Sequence, residues 1–156
     1  MSGKKGFTLV ELLVAIIIIG VLAAVAVPLM RGNVKRAIIT EAVSALGTIR
    51  TLQRAYFVEN GSYQNVGEIG TSGYLAGLSQ GDLDGTYFSE NCYCVSGGPV
   101  NFIAYCFPFP ILSEANTAPK AADAQKALQN STGFSCIQIF QDGSIVSMGI
   151  PGSGYE

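Results

Sequence analysis

Two groups of residues in this sequence have the types and spacing to do chemistry. Glu11 lies inside an apolar run that continues to Met30, and residues 12 to 30 carry no charge. A carboxylate in a hydrocarbon environment is costly, so such a residue marks a functional site and needs a partner. The second group consists of four cysteines in the C-terminal part of the chain, namely Cys92, Cys94, Cys106 and Cys136.

The cysteine spacing favours disulfides over a metal site. An even number of cysteines in an exported protein usually forms disulfides, and C-x-C followed by two long gaps is not a zinc-finger spacing. Cys92 and Cys94 lie two apart on a predicted strand and would face the same side, where a bond between them would be strained. We predict that each pairs with Cys106 or Cys136, giving two bridges whose connectivity the sequence leaves open.

Other chemistry is poorly supported. The chain has no histidine, which excludes His-ligated metals and His-based catalytic triads, and we predict neither an enzyme nor a cofactor. Asp82 and Asp84 resemble a fragment of a calcium loop, but the third acidic position and the closing glutamate are missing, so a metal is not favoured. The net charge of −2 gives no electrostatic footprint for nucleic acid.

The apolar run that holds Glu11 permits three interpretations. It can be a secretory signal peptide, with Lys4 and Lys5 as the basic region and residues 24 to 26 (Ala-Val-Ala) as the cleavage site. It can also be a plain membrane anchor, because about 20 apolar residues at 1.5 Å each span a ~30 Å hydrocarbon core. The third interpretation accounts for more of the residues and rests on a resemblance.

The segment MSGKKG-FTLVELLVAIIIIGVLAAVAVP resembles the start of a type IV prepilin over residues 1 to about 60. A short basic leader ends in Gly6, Phe7 follows it, and Glu11 is the fifth residue after that boundary. Pro28 is the twenty-second, where the family usually has a proline. The resemblance implies cleavage after Gly6 by a prepilin peptidase and N-methylation of the new Phe7 amine. It also implies that the apolar run stays on the mature protein.

The sequence from residue 7 to residue 58 predicts one long helix after a leader of residues 1–6. Residues 7–30 form its membrane anchor and filament core, and residues 31–58 form an amphipathic half. The apolar stripe of that half recurs at spacings of three and four, through Ile38, Ala42, Ala45, Ile49, Leu52 and Tyr56. Pro28 should kink the helix, and Gly20 weakens it. The resemblance implies that the stretch between them can lose helical hydrogen bonds in a filament.

Residues 59–156 predict a C-terminal globular domain. Four segments have strand composition, at residues 86–95, 100–107, 134–140 and 144–150. Asp142-Gly143 joins the last two as a hairpin, and residues 113–130 favour a short helix. The predicted fold class is therefore α+β, with a long N-terminal α-helix packed on an antiparallel sheet of about four strands.

Our hypothesis for function is a pilin, the structural subunit of an extracellular type IV pilus filament. The resemblance implies an inner-membrane precursor, a homopolymer as product, and a platform protein and an assembly ATPase as partners. Alternatives are a minor pilin, a type II secretion pseudopilin and, more distantly, a Sec-exported soluble binding domain. Twitching motility, adhesion, DNA uptake and secretion are all compatible with the sequence. We expect Glu11 to set subunit register, since the Phe7 amine of a neighbour is the partner that cleavage would create.

Overall fold

In the computed structural model of this chain, the described residues are 7–108, 116–130 and 133–149. Close packing divides the chain into two compact units, Met1–Arg36 and Ala37–Glu156. The division falls inside the N-terminal helix, so that helix contributes to both units. The predicted leader, residues 1–6, lies outside the described residues, and the predicted boundaries at 7–58 and 59–156 stay predictions.

The long N-terminal helix is confirmed as helix α1, which runs over Leu9–Asn60 and contains 52 residues. It ends where Gly61 adopts a left-handed conformation (φ 71°) and donates its N–H to the Phe57 carbonyl at 2.8 Å. Glycine is the usual residue for such a helix terminus, because it lacks the Cβ that penalises a positive φ. The Asn60 side chain also donates to the Tyr56 carbonyl in the last turn, at 3.0 Å.

The rest of the described fold is an antiparallel sheet with one short helix, α2, at Ala121–Leu128. Four strands contain five to eight residues, and two others contain only two residues. The four are β2 (Tyr93–Gly97), β3 (Phe102–Cys106), β5 (Gly133–Phe140) and β6 (Ile145–Gly149), and the short ones are β1 (Gly67–Glu68) and β4 (Gln129–Asn130). The strand order is β1-β2-β3-β5-β6, with β4 paired to the start of β5. The α+β fold class with about four main strands is therefore confirmed.

The predicted strand at residues 86–95 is shorter in the structure, where only Tyr93–Gly97 is strand and a 3-10 turn precedes it at Glu90–Cys92. The side chain of Glu41 explains the difference. Its carboxylate accepts the N–H groups of Thr86, Tyr87 and Phe88 at 2.8 to 3.1 Å. Those three donors are then unavailable to a strand ladder, so the chain joins the sheet only after the 3-10 turn.

The core lies between the second half of α1 and one face of the sheet. Ile38, Ala42, Leu46 and Ile49 are fully buried on α1, while the predicted stripe members Ala45, Leu52 and Tyr56 are half-buried at its edge. From the sheet side, the core contains the buried side chains of Tyr93, Val95, Phe102, Ala104, Cys106, Ile137 and Ile139. The alternation along β2 and β3 places every second residue in this core, as half-buried strands require.

Polar side chains of α1 hold the connecting segments in place. The Gln53 amide, which is fully buried, donates to the Gln64 carbonyl at 2.6 Å and accepts the Gln64 N–H at 2.9 Å, so it pairs with that residue as a strand would. Arg50 donates its Nε to the Gln141 carbonyl at 3.1 Å, beside the β5–β6 hairpin. These bonds tie the connector before β1 and the β5–β6 hairpin to the helix.

Candidate functional site

The N-terminal part of α1 is an apolar helix that its own chain does not cover. Its segment Leu9–Ala26 has a mean hydropathy of 3.0, which by length and composition suffices to cross a membrane, and none of it is buried. Every large apolar side chain from Phe7 to Val25 is between 47% and 80% exposed. An apolar surface of this extent in water is strongly unfavourable, so it marks a membrane or protein interaction site.

The side chain of Glu11 folds back onto the start of this helix. Its Oε2 atom accepts the Thr8 backbone N–H at 2.9 Å and the Thr8 hydroxyl at 2.8 Å. The Thr8 hydroxyl oxygen in turn accepts the Glu11 backbone N–H at 3.3 Å. This reciprocal arrangement is a capping box, in which a threonine at the N-cap and a glutamate three residues later satisfy the free donors of the first turn.

Thr8 is a hydrogen-bond partner of Glu11 that our sequence reasoning missed, although its signal was present. The pattern Thr-x-x-Glu before an apolar run is the sequence signature of a capping box. Both bonds from Thr8 go to Oε2, and among the described residues none goes to Oε1. Glu11 therefore has a partner inside its own subunit and keeps one carboxylate oxygen for a second donor. Pairing with a neighbouring Phe7 amine stays a prediction, and the cap and the pair are compatible.

The other residues predicted for this segment lie on or before the helix. Gly6 falls outside the described residues, while Phe7 precedes the helix and its side chain is 79% exposed. Helix α1 runs without interruption through Gly20 and Pro28. A Cβ atom built at Gly20 would meet nothing within 4 Å, so the fold of the described subunit gives no steric reason for a glycine there.

The four cysteines are free thiols in the structure, and neither predicted bridge is present in it. Cys92 closes the 3-10 turn and is not on a strand with Cys94, which corrects the premise that the two face the same side. Cys94 pairs with Tyr105 across β2 and β3, so Cys94 and Cys106 project to opposite faces. Cys106 pairs with Ile137, and Cys136 therefore projects away from Cys106 as well.

This register leaves Cys92 and Cys106 as the pairing that we retain. The Phe107 N–H donates to the Cys92 carbonyl at 2.9 Å, which places Cys92 beside the residue that follows Cys106. Both side chains are buried, and burial raises the pKa of the Cys92 thiol to about 11 and that of Cys106 well above its usual range. Cys94 and Cys136 share the other sheet face, with strand β3 between them.

We predict that the unreduced, exported chain contains the Cys92–Cys106 bridge. A bond that closes a loop of this length is worth about 3 kcal/mol in the chain-entropy account. After unfolding without reductant, alkylation followed by mass spectrometry should modify only Cys94 and Cys136, whereas reduction should expose all four thiols. Four modified cysteines before reduction would contradict this bridge, and a peptide joining Cys94 to Cys106 or Cys136 would contradict the register.

The weak metal candidates Asp82 and Asp84 hold backbone groups. Asp82 accepts the Ser79 N–H at 2.7 Å, and Asp84 accepts the Glu90 N–H at 2.9 Å. In the part of the chain that the structure describes, no three His, Cys, Asp or Glu residues are grouped as a metal ion would require. The arrangement thus has a loop-stabilising role that needs no ion.

Comparison with known proteins adds independent information about both units. Residues 1–27 match a family model described as the prokaryotic N-terminal methylation motif. The type IV wide pilus major component PilA4 of Thermus thermophilus is 36% identical over 109 residues, which cover 67% of this chain and 83% of that protein. That match extends well beyond the apolar segment into the sheet domain.

Other relatives match shorter stretches of the chain. A fimbrial protein of Pseudomonas aeruginosa is 39% identical over 59 residues, or 38% of each chain. The type IV major pilin protein PilE1 of Neisseria gonorrhoeae is 34% identical over 87 residues, 56% of this chain and 50% of that protein. This chain thus spans less than two thirds of the length of several relatives.

Proposed function

Since this chain belongs to the type IV pilin family, we propose that it is a pilin that enters the inner membrane as a prepilin and polymerises into an extracellular type IV pilus filament. The observation that carries the proposal is the uncovered apolar helix Leu9–Ala26. Such a helix needs a bilayer or other apolar helices around it. A pilin meets both needs in turn, first in the membrane and then in the filament core.

Processing at the N-terminus prepares the helix for assembly. A prepilin peptidase cleaves after Gly6, and the new Phe7 amine is N-methylated. Phe7 lies before the first residue of α1 and is exposed, so both steps act on an accessible position. The product has a positive amine four residues from the Glu11 carboxylate. Each helix therefore carries both the amine and the carboxylate that an ion pair between two subunits requires.

Exchange of lipid for protein around the helix has little hydrophobic driving force, because both surroundings are apolar. Packing and polar pairing must therefore choose the neighbour. Two copies offset by four residues, about 6 Å along α1, place the Phe7 amine of one beside Glu11 of the other. In low dielectric the pair is attractive and either charge alone is penalised, so this register is selected. A platform protein and a cytoplasmic ATPase lift subunits out of the membrane.

N-terminal sequencing of surface material and electron microscopy of sheared filaments test the proposal together. A chain that starts at Phe7 and forms thin filaments is the expected result. A start at Val27 on a soluble protein would instead support the exported binding domain, which loses the apolar helix. A processed, membrane-retained chain that forms no filament in a strain with active pilus machinery would contradict polymerisation.

The segment from Gly20 to Pro28 gives a further prediction. It is helical in the subunit, but Pro28 cannot donate a backbone hydrogen bond and Gly20 lowers helix propensity by about 1 kcal/mol relative to alanine. We expect a filament map to show broken helical hydrogen bonds between these two residues, and Gly20→Ala filaments to show fewer of them. Continuous helix through this segment in the parent filament would refute the melting.

A further inference from the structure

We propose that Glu41 of α1 directs the Cys92 thiol toward Cys106, so that a contact from the helix determines the disulfide connectivity of the C-terminal unit. This inference goes beyond the proposed function. The sequence alone does not choose between Cys92 and Cys94 as the partner of Cys106. The two lie 14 and 12 positions before it. Loop closure favours the shorter loop by only about 1.3-fold, so the folded structure must make the choice.

The direction of the Cys92 side chain depends on where β2 begins. Tyr93, the first residue of β2, is fully buried in the core, as is its register partner Cys106. Successive side chains of a strand alternate, so a strand that began before Tyr93 would turn Cys92 to the outer face with Cys94. In the structure a 3-10 turn at Glu90–Cys92 precedes β2, and Cys92 lies in the same buried cluster as Cys106. Cys92 can therefore reach Cys106 only while this turn is maintained.

The Glu41 carboxylate holds the chain just before this turn. Its Oε1 atom accepts the N–H groups of Tyr87 and Phe88 at 2.8 and 2.9 Å, and its Oε2 atom accepts the Thr86 N–H at 3.1 Å. Hydrogen bonds to a charged acceptor are stronger than those between neutral groups. The same three donors cannot enter a strand ladder while the carboxylate holds them. Removal of the carboxylate frees them, and Thr, Tyr and Phe are residues that favour strands, so β2 can then extend toward residue 86.

Gly85 provides the space that the Glu41 carboxylate occupies. A Cβ atom built on Gly85 would collide with that carboxylate. The Gly85 N–H donates to the Phe88 carbonyl at 2.8 Å and closes the turn that presents the three donors. Phe88 is itself fully buried, and its ring centroid lies 6.3 Å from that of Tyr93. The contact with Glu41 is therefore coupled through Phe88 to the first residue of β2.

Equilibration of the full chain in detergent with a glutathione buffer tests the inference. Two cysteine thiols and one oxidised glutathione give one protein disulfide and two reduced glutathione molecules, which take up the two electrons and two protons that the cysteines lose. Repeated exchange lets other pairings rearrange, so the equilibrium yield reports the geometry of the fold. The samples are quenched with acid, alkylated and cut with chymotrypsin, which cleaves after Tyr93 and so separates Cys92 from Cys94. Mass spectrometry then measures each pairing and each free thiol.

We expect Glu41→Ala to lower the equilibrium constant of the Cys92–Cys106 bridge by about tenfold or more, which corresponds to the loss of about one hydrogen bond to a charged acceptor. Gly85→Ala should act in the same direction, because its Cβ displaces the carboxylate while Glu41 stays in the chain. Glu59 is an exposed glutamate on the same helix, so Glu59→Ala is the matched control and should form the bridge as the parent does.

A general loss of stability would not produce this pattern. Gly97→Ala is expected to destabilise the C-terminal unit without touching Glu41, so its folded chain should form the bridge to the parental extent. Should Glu41→Ala fail to fold, Glu41→Gln and Gly85→Ala decide the matter, and both should show a weaker bridge than the parent. A parent chain that equilibrates without this bridge, folded Glu41 and Gly85 variants that form it to the parental extent, or an equal loss in Gly97→Ala would overturn the inference.

Discussion

Replacement of Glu11 by alanine is expected to abolish or severely reduce filaments while the subunit is still cleaved, inserted in the membrane and folded. The expected loss is about tenfold or more, because the neighbour's Phe7 amine would be left unpaired in low dielectric. The C-terminal unit begins at Ala37, far along the sequence from this residue, so its stability should not change. Sheared filament, divided by subunit in the membrane fraction, measures the effect.

Two further substitutions separate pairing from capping. Glu11→Gln keeps an oxygen that can accept the Thr8 N–H and hydroxyl, so the capping box can persist while the charge is lost. If pairing matters, the glutamine variant should resemble the alanine variant, and Glu11→Asp should be partly tolerated. Thr8→Val keeps the side-chain shape and removes only the hydroxyl, so it should weaken the cap and reduce assembly much less than Glu11→Ala.

These variants also define how the register hypothesis would fail. Normal filaments from a strain that produces only Glu11→Ala subunits would exclude a register role for this residue. Normal filaments from Glu11→Gln, together with loss in Thr8→Val, would assign the residue to the helix cap alone. The membrane fraction of each variant must contain processed subunit, because a variant that stays uncleaved would show a defect in cleavage by the peptidase and not a defect in assembly.

Gly97→Ala is expected to destabilise the C-terminal unit by about 1 to 3 kcal/mol, the usual range for an overpacked core position. A Cβ at this end of β2 would collide with the backbone oxygen of Gln64. That backbone cannot easily retreat, because the buried Gln53 amide holds it at 2.6 and 2.9 Å and the Tyr63 N–H donates to Gly98 at 3.0 Å. The expected result is a lower urea midpoint for the full chain in detergent, followed by tyrosine circular dichroism.

The adjacent residue is the matched control. A Cβ at Gly98 would meet only ordinary contacts, with Asn101 atoms at 3.6 and 3.7 Å. Gly98→Ala should therefore change stability by no more than about 0.5 kcal/mol. Equal urea midpoints for the two variants would mean that the segment before β1 does not pack against β2 as described.

Several elements of the fold are encoded locally and were predictable. The uncharged run, the long helix and the Asn60-Gly61 terminator depend on residues within a few positions of one another. The Asp142-Gly143 hairpin also formed as predicted, because Gly143 adopts a positive φ of 94° and Asp142 accepts the Ser144 N–H at 2.9 Å. The resemblance to type IV prepilins likewise rested on a short contiguous segment, and the match to residues 1–27 agrees with it.

Other features depend on contacts between distant residues, and the sequence did not reveal them. The strand expected at residues 86–95 is shortened by Glu41, a residue more than 40 positions away whose carboxylate competes for the strand's N–H groups. Gln53 lies outside the predicted apolar stripe but is fully buried, because its amide pairs with the backbone of the connector residue Gln64.

The features of the candidate site are likewise of two kinds, those encoded locally and those set by contacts between distant residues. The sequence by itself determined an apolar helix with one carboxylate, because composition and a local spacing suffice for both. Only the tertiary structure decided which cysteines share a face, because strand register is set by pairing across the sheet and one residue of shift reverses every side chain. It alone brought Asp82 and Asp84 against Thr40 and Ser44 of α1, since loop and helix meet only when the sheet packs on the helix.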